Sequence, residues 1–351
     1  MNTTNSPGRP NPLLFGIPRF ATMFYYTSLV TLSLPLVIVD KAGEEVKGFH
    51  LGLITGGAAL LSVAVLYLFG AYRDRKCRAY RGSDYPLGGL ALALPALGLI
   101  AASNLYAALI PAFFVLIIVR SFCEASHLSV LTDRPDLPDR GRYTAGMTFW
   151  HFLGTGLGAL AFGFLPELHL LRGFPFYSLL SLVSILVVLV AIVGFYLTFR
   201  KNRTARTTPG DRQTTRVSLE IPRNLRYLIA ARFFMLSGVL IIATFLVYVV
   251  LDYMGAEETR RTASLLYFWS ILGAIASSVP AGRLMKRKGE IPILFASGSL
   301  LASITAVFFL FGPEYPQLNI PCMVLYGAGF AGIISAGLSL TVKLIPHPRM
   351  S

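Results

Sequence analysis

The chain has 351 residues, 54% of them hydrophobic and only 14% charged, with a formal net charge of +14 and a mean hydropathy of +0.63. Soluble domains carry about a quarter charged residues, so this chain lacks the charge to cover a water-facing surface, and a soluble globular domain is excluded. The apolar residues fall into ten runs, near 14–38, 49–71, 87–103, 105–131, 145–165, 174–198, 227–251, 263–281, 291–312 and 318–342. Most approach the roughly 20 helical residues that cross a bilayer core, and helices satisfy every backbone group within the segment. The alternation of barrel strands is absent. The pattern predicts an all-α polytopic membrane protein of about ten spans. Six lie in residues 1–199 and four in residues 227–351, with a basic, Thr-rich linker at 200–226.

In chain order, the first thirteen residues are polar and contain proline, without the build of a cleaved signal peptide. Span one carries Arg19 near its start, which reads as a snorkelling anchor. Tyr25 and Tyr26 lie deeper, placed either to line a cavity or to pack. After span two comes GAYRDRKCR (70–78), a charged elbow that returns as GRLMKRKGE (282–290) after span eight. Span four holds Arg120, Glu124 and His127 at i, i+4 and i+7, a spacing that sets all three on one helix face. Ionisable side chains inside spans face the bundle interior or a water-filled cavity. Burial favours the neutral form of Glu124 while Arg120 favours the ionised one, which suits a proton carrier. The same spacing also suits a buried ion pair that fixes helix packing. Span five brings Trp150 and His151 near its start and carries Gly154, Gly156, Gly158 and Gly163, small residues that let helices approach closely. Tyr326 in span ten is a further lining candidate.

The basic residues are not spread evenly. With a cytoplasmic N-terminus, the inner loops collect Arg73, Arg75, Arg78, Arg140, the cations of the linker, and Arg283 to Lys288, while the acids concentrate in the outer loops. This positive-inside bias predicts a multi-pass protein of the cell membrane with the N-terminus and linker cytoplasmic. It accounts for the basicity without a nucleic-acid partner. Cys77, Cys123 and Cys322 show no pairing or metal spacing, and no cofactor is expected.

The combination of GxxxDRxxR after span two (Gly70, Asp74, Arg75, Arg78), an arginine in mid span four (Arg120) and D-x6-RG leaving it (Asp133, Arg140, Gly141) resembles the major facilitator superfamily. Departures are Cys77 at a position where glycine is usual, Lys286 in place of the aspartate, and Glu290 in place of a basic residue. The resemblance implies two parallel helical halves around a central cavity and a secondary transporter of a small solute. There is a weaker likeness to sugar-transporter-like branches. It also implies two more helices than the ten read here. On chemistry alone, Asp74, Arg75, Arg78 and Asp133 can form ion pairs that break and reform as a latch, or act as topology anchors. The second elbow keeps Gly282, Lys286 and Arg287 but loses its acid, and Lys343 stands where the first half has Asp133. Spans seven and ten lack charge in their middles, which favours a neutral polar solute such as a sugar, with protons as the coupling ion. Two other readings are a non-transporting remnant and a polytopic membrane enzyme using His127 or His151. No nucleophile–base set or phosphate-cradling loop supports the enzyme.

Overall fold

In a computed structural model of the protein, the described residues are 15–76, 84–133, 140–167, 175–200 and 223–344. Each of the ten apolar runs folds into a long helix: α1 (Ile17–Ala42), α2 (Lys47–Lys76), α3 (Asp84–Ala102), α4 (Tyr106–Asp133), α5 (Arg140–Phe164), α6 (Phe176–Arg200), α7 (Arg223–Tyr248), α8 (Thr259–Lys288), α9 (Glu290–Phe311) and α10 (Asn319–Leu344). No strand occurs among the described residues. Nine of these helices are long and apolar enough to cross a membrane, and α3 offers a shorter apolar stretch, Pro86–Ala102. The protein is thus an all-α polytopic membrane bundle.

The chain divides into two compact units, Met1–Asp211 and Arg212–Ser351. In the first, α1 is the central helix: 83% of its most apolar stretch is buried, against 22% for α2. It packs on α5 and α6, while α3 packs on α4 and α6, and α2 on α4. The outer face of α2 presents Phe49, Leu53, Leu60, Val63 and Tyr67, a side-chain set that suits contact with lipid. In the second unit α10 is central, packed on α8, α9 and α7.

Close crossings depend on glycine. On α5, a Cβ at Gly154 would run into the carbonyl of Phe20, and one at Gly158 into that of Phe24, so α5 lies directly on the backbone of α1. Of the four glycines read in span five, Gly154 and Gly158 bring these two helices together. In the second unit, Gly273 and Gly327 play the same part where α8 crosses α10.

Helix α1 is not regular. Residues Tyr26–Ser33 widen into a π-helix just before Pro35. A proline ring collides with the carbonyl four residues back, and the wide turn relieves that clash. Within this stretch the Leu34 N–H bonds the Leu29 carbonyl, and Ser33 Oγ donates to the Ser28 carbonyl at 2.6 Å.

Candidate functional site

The face of α4 that carries Arg120, Glu124 and His127 meets α1 and α5 inside the first unit. Arg19 Nη2 donates to Glu124 Oε1 at 2.7 Å, and Arg19 Nε to His151 Nδ1 at 3.4 Å. Arg120 Nη2 lies 3.7 Å from Glu124 Oε2, an ion-pair distance one turn along the same helix. The Arg120 guanidinium also stacks over the Tyr26 ring, 4.3 Å from its centroid, a cation–π contact that fixes its plane. Arg19 thus joins three helices at one level, through Glu124 of α4 and His151 of α5, and the two guanidiniums share one carboxylate.

Arg19 is the residue that sequence reasoning missed. Read alone it is an anchor near a helix start; in the fold it is the first partner of Glu124, 105 positions away in the chain. A signal was available. Glu124 is the single acid in the middle of any of the ten apolar runs, and Arg19 and Arg120 are the arginines within the six runs of the first half. Charges this scarce and this costly in a span tend to find one another.

The two histidines have different surroundings. His151 receives a hydrogen bond from Arg19, and because guanidinium only donates, its Nδ1 carries the lone pair and the ring is uncharged. His127 is buried and bonds the Phe15 carbonyl through Nε2 at 2.7 Å. Its ring sits between Phe15, 4.6 Å away, and Phe195 of α6, 6.1 Å away. Among the described side chains, the cluster holds two arginines and one glutamate.

A small opening leads to the cluster between α1 and α4, lined by Pro18, Arg19, Thr22, Met23, Arg120, Cys123, Glu124 and His127. The side chains of Arg19 and Arg120 are 20% and 22% exposed, while Glu124 is 44% exposed, so the carboxylate is the most open of the three. Trp150 packs edge-on to Phe20 at 5.5 Å and closely against Gly16. Tyr25 is wholly buried, and its hydroxyl has no hydrogen-bond partner among the described atoms. Tyr326 lies in the other unit, where its hydroxyl donates to the Val239 carbonyl of α7 at 3.0 Å.

In the first elbow the backbone of Gly70, Asp74 and Arg75 completes α2, Asp133 ends α4, and Arg140 and Gly141 open α5. The side chains of these residues, and Arg78 altogether, lie outside the described residues. The second elbow is described in full. Gly282, Lys286 and Arg287 belong to the C-terminal end of α8, where cations suit the helix dipole, and Gly289 caps it at φ +87°. Glu290 opens α9 and accepts a hydrogen bond from Ser339 of α10 at 3.0 Å. Among the described residues, no group of three or more His, Cys, Asp or Glu side chains is placed to hold a metal ion.

The sequence profile of the Major Facilitator Superfamily matches residues 19–351, and the chain belongs to that family. Among curated proteins none matches the sequence. Similar solved structures include a mutant of the nucleoside transporter NupG, 15% identical with a TM-score of 0.67, which covers 96% of this chain and 84% of that one. A peptide transporter POT mutant in complex with sulfate is 18% identical with a TM-score of 0.67, over 99% and 84% of the two chains. A bacterial homologue of the iron transporter ferroportin in its inward-facing state is 16% identical with a TM-score of 0.58, over 96% and 84%. At these identities the likeness is one of fold. Family and fold together define a membrane transporter, and the enzyme reading falls away.

Proposed function

We propose that the protein is a secondary transporter of the cell membrane that moves a small solute by alternating access, with Glu124 as the group through which a proton gradient drives it. The observation that carries this reading is the placement of Glu124, whose carboxylate ties α1 to α4 through Arg19 and pairs with Arg120 on its own helix. Neutral Glu124 has no charge to offer Arg19, so the hold on α1 weakens and the opening beside it can widen. The groups facing this carboxylate are Arg19 and Tyr26 from α1, Arg120 and His127 from α4, and His151 from α5. Two fixed cations resist protonation, so the step is favoured where something else neutralises Arg19.

In this reading the protein alternates between an inward-facing and an outward-facing state. The ends of α2 and α4 carry Asp74, Arg75 and Asp133, and α5 begins with Arg140 and Gly141. Helices α2 and α4 run in the same direction and pack on each other, which supports a latch formed there by the first elbow. The second elbow keeps a topological role, since its acid, Glu290, is engaged with Ser339. The positive-inside distribution supports cytoplasmic placement of both elbows.

The test is accumulation from a mixture of small metabolites into proteoliposomes of the full chain, read by mass spectrometry with an imposed proton gradient. At least one solute is expected to accumulate with the gradient and to stop when a protonophore is added. Glu124→Gln is expected to abolish the response to the gradient. Gradient-driven accumulation that survives unchanged in Glu124→Gln would remove Glu124 from the coupling step.

A further inference from the structure

We propose that the cationic end of α8 binds the headgroup phosphate of an anionic phospholipid, whose acyl chains lie along the exposed face of α9. The inference goes beyond the transport reading and does not rest on it.

The first observation is which cations have partners. Among the described side chains, every lysine and arginine outside the second elbow is engaged with another group. Arg19 and Arg120 share Glu124, Lys41 holds Asp40, Arg261 holds Glu258, and Arg223 meets the Tyr227 ring and hydroxyl; the rest are engaged as well. Arg283, Lys286, Arg287 and Lys288 differ. They are exposed, and among the described residues they make no ion pair and no side-chain hydrogen bond. The helix dipole offers them only about half of one negative charge. Glu290, the nearest acid in the sequence, is engaged by Ser339. Setting topology takes positive charge alone and asks for no particular neighbours, yet this group has them.

The second observation is what stands beside the cations. A single residue, Gly289 at φ +87°, separates the end of α8 from the start of α9, so the four cations sit at the head of α9. Only 22% of the most apolar stretch of α9 is buried. Its exposed face opens with Ile291 and Phe295, 69% and 74% exposed and one turn apart. Positive charge at the edge of the hydrocarbon, with apolar side chains leading away from it, complements the layout of a phospholipid. Arg283, Lys286 and Arg287, at i, i+3 and i+4, share one helix face, so one phosphodiester can meet several donors, and the guanidinium fork suits two phosphate oxygens. A zwitterionic lipid carries its own cation beside the phosphate and brings no net charge. An anionic lipid such as phosphatidylglycerol brings −1 to a cluster that lacks an acid.

The test reads lipid contact at one place on the full chain. With the two native tryptophans replaced, Trp150→Phe and Trp269→Phe, Phe295→Trp sets a single fluorophore beside the cations. Leu310→Trp, at a position 68% exposed near the far end of α9, sets the control. Each protein is reconstituted in phosphatidylcholine bilayers, and quenching is titrated with brominated phosphatidylglycerol or brominated phosphatidylcholine. At Phe295→Trp the anionic lipid is expected to be preferred by about fivefold or more, the contribution of one engaged cation. No such preference is expected at Leu310→Trp. Adding Lys286→Gln, Arg287→Gln and Lys288→Gln is expected to abolish the preference, and Arg261→Gln, at the opposite end of α8, to leave it unchanged. Equal quenching by the two lipids at Phe295→Trp, the same preference at both reporters, or a preference that survives the triple substitution would each overturn the proposal. The two reporters are compared with the elbow intact, so the test decides even where the triple variant does not fold.

Discussion

At the scale of single residues, the ionisable groups of the first unit differ in what they do: some hold the helices, and others are the more exposed groups at the opening. His127 lines the opening but belongs to the first kind. Its bond to the Phe15 carbonyl and its packing between Phe15 and Phe195 join α4 to the start of α1 and to α6. His127→Ala leaves that carbonyl without its donor and opens a cavity. It is expected to cost about 2–4 kcal/mol, measured as a loss of thermal stability. Glu124 belongs to the second kind, half exposed and shared by two arginines. The i, i+4, i+7 pattern made Arg120, Glu124 and His127 legible as one interior face, because helical periodicity is local information. The pairing with Arg19 was not legible in that way. It joins residues 105 positions apart, and only the scarcity of charge within the spans hints at it.

The helices themselves were the clearest part of the sequence, since apolar length alone sets a membrane span. How they touch was partly legible. The glycines of span five promised a close approach, and α1 is the helix that takes it, with the carbonyls of Phe20 and Phe24 against Gly154 and Gly158. Gly158→Val is expected to push α5 off α1 and to cost more than about 2 kcal/mol. Gly52→Ala on α2, where a Cβ meets nothing within 4 Å, is expected to stay within about 1 kcal/mol of the native chain and to act as its control. Thermal unfolding of the two variants side by side reads the difference. The π-helix of α1 was hidden, because Pro35 announces a disturbance without saying whether the helix kinks, breaks or widens. What decided it was the burial of the whole segment, which leaves each freed carbonyl to find its partner within α1.

At the scale of the whole molecule, the repeat of charged elbows after the second and eighth spans suggested duplication, and the chain has the fold of the Major Facilitator Superfamily, with two compact units. The solute's class was the least legible property. Uncharged spans in the second half bear on it only by what they lack, and the charged cluster of the first unit is assembled from residues of three helices that no local pattern joins. The account's central claim is that protonation of Glu124 loosens α1 from α4. Cys123 reports on it directly, since it is 5% exposed and lines the same opening. In a chain with Cys77→Ser and Cys322→Ser, the rate of Cys123 alkylation by a small maleimide is measured across pH, with and without Glu124→Gln. Dividing one rate by the other removes the ionisation of the thiol itself. The account predicts slow labelling of the native glutamate at high pH, rising to the rate of the glutamine variant as pH falls. A ratio that stays constant across pH would contradict it.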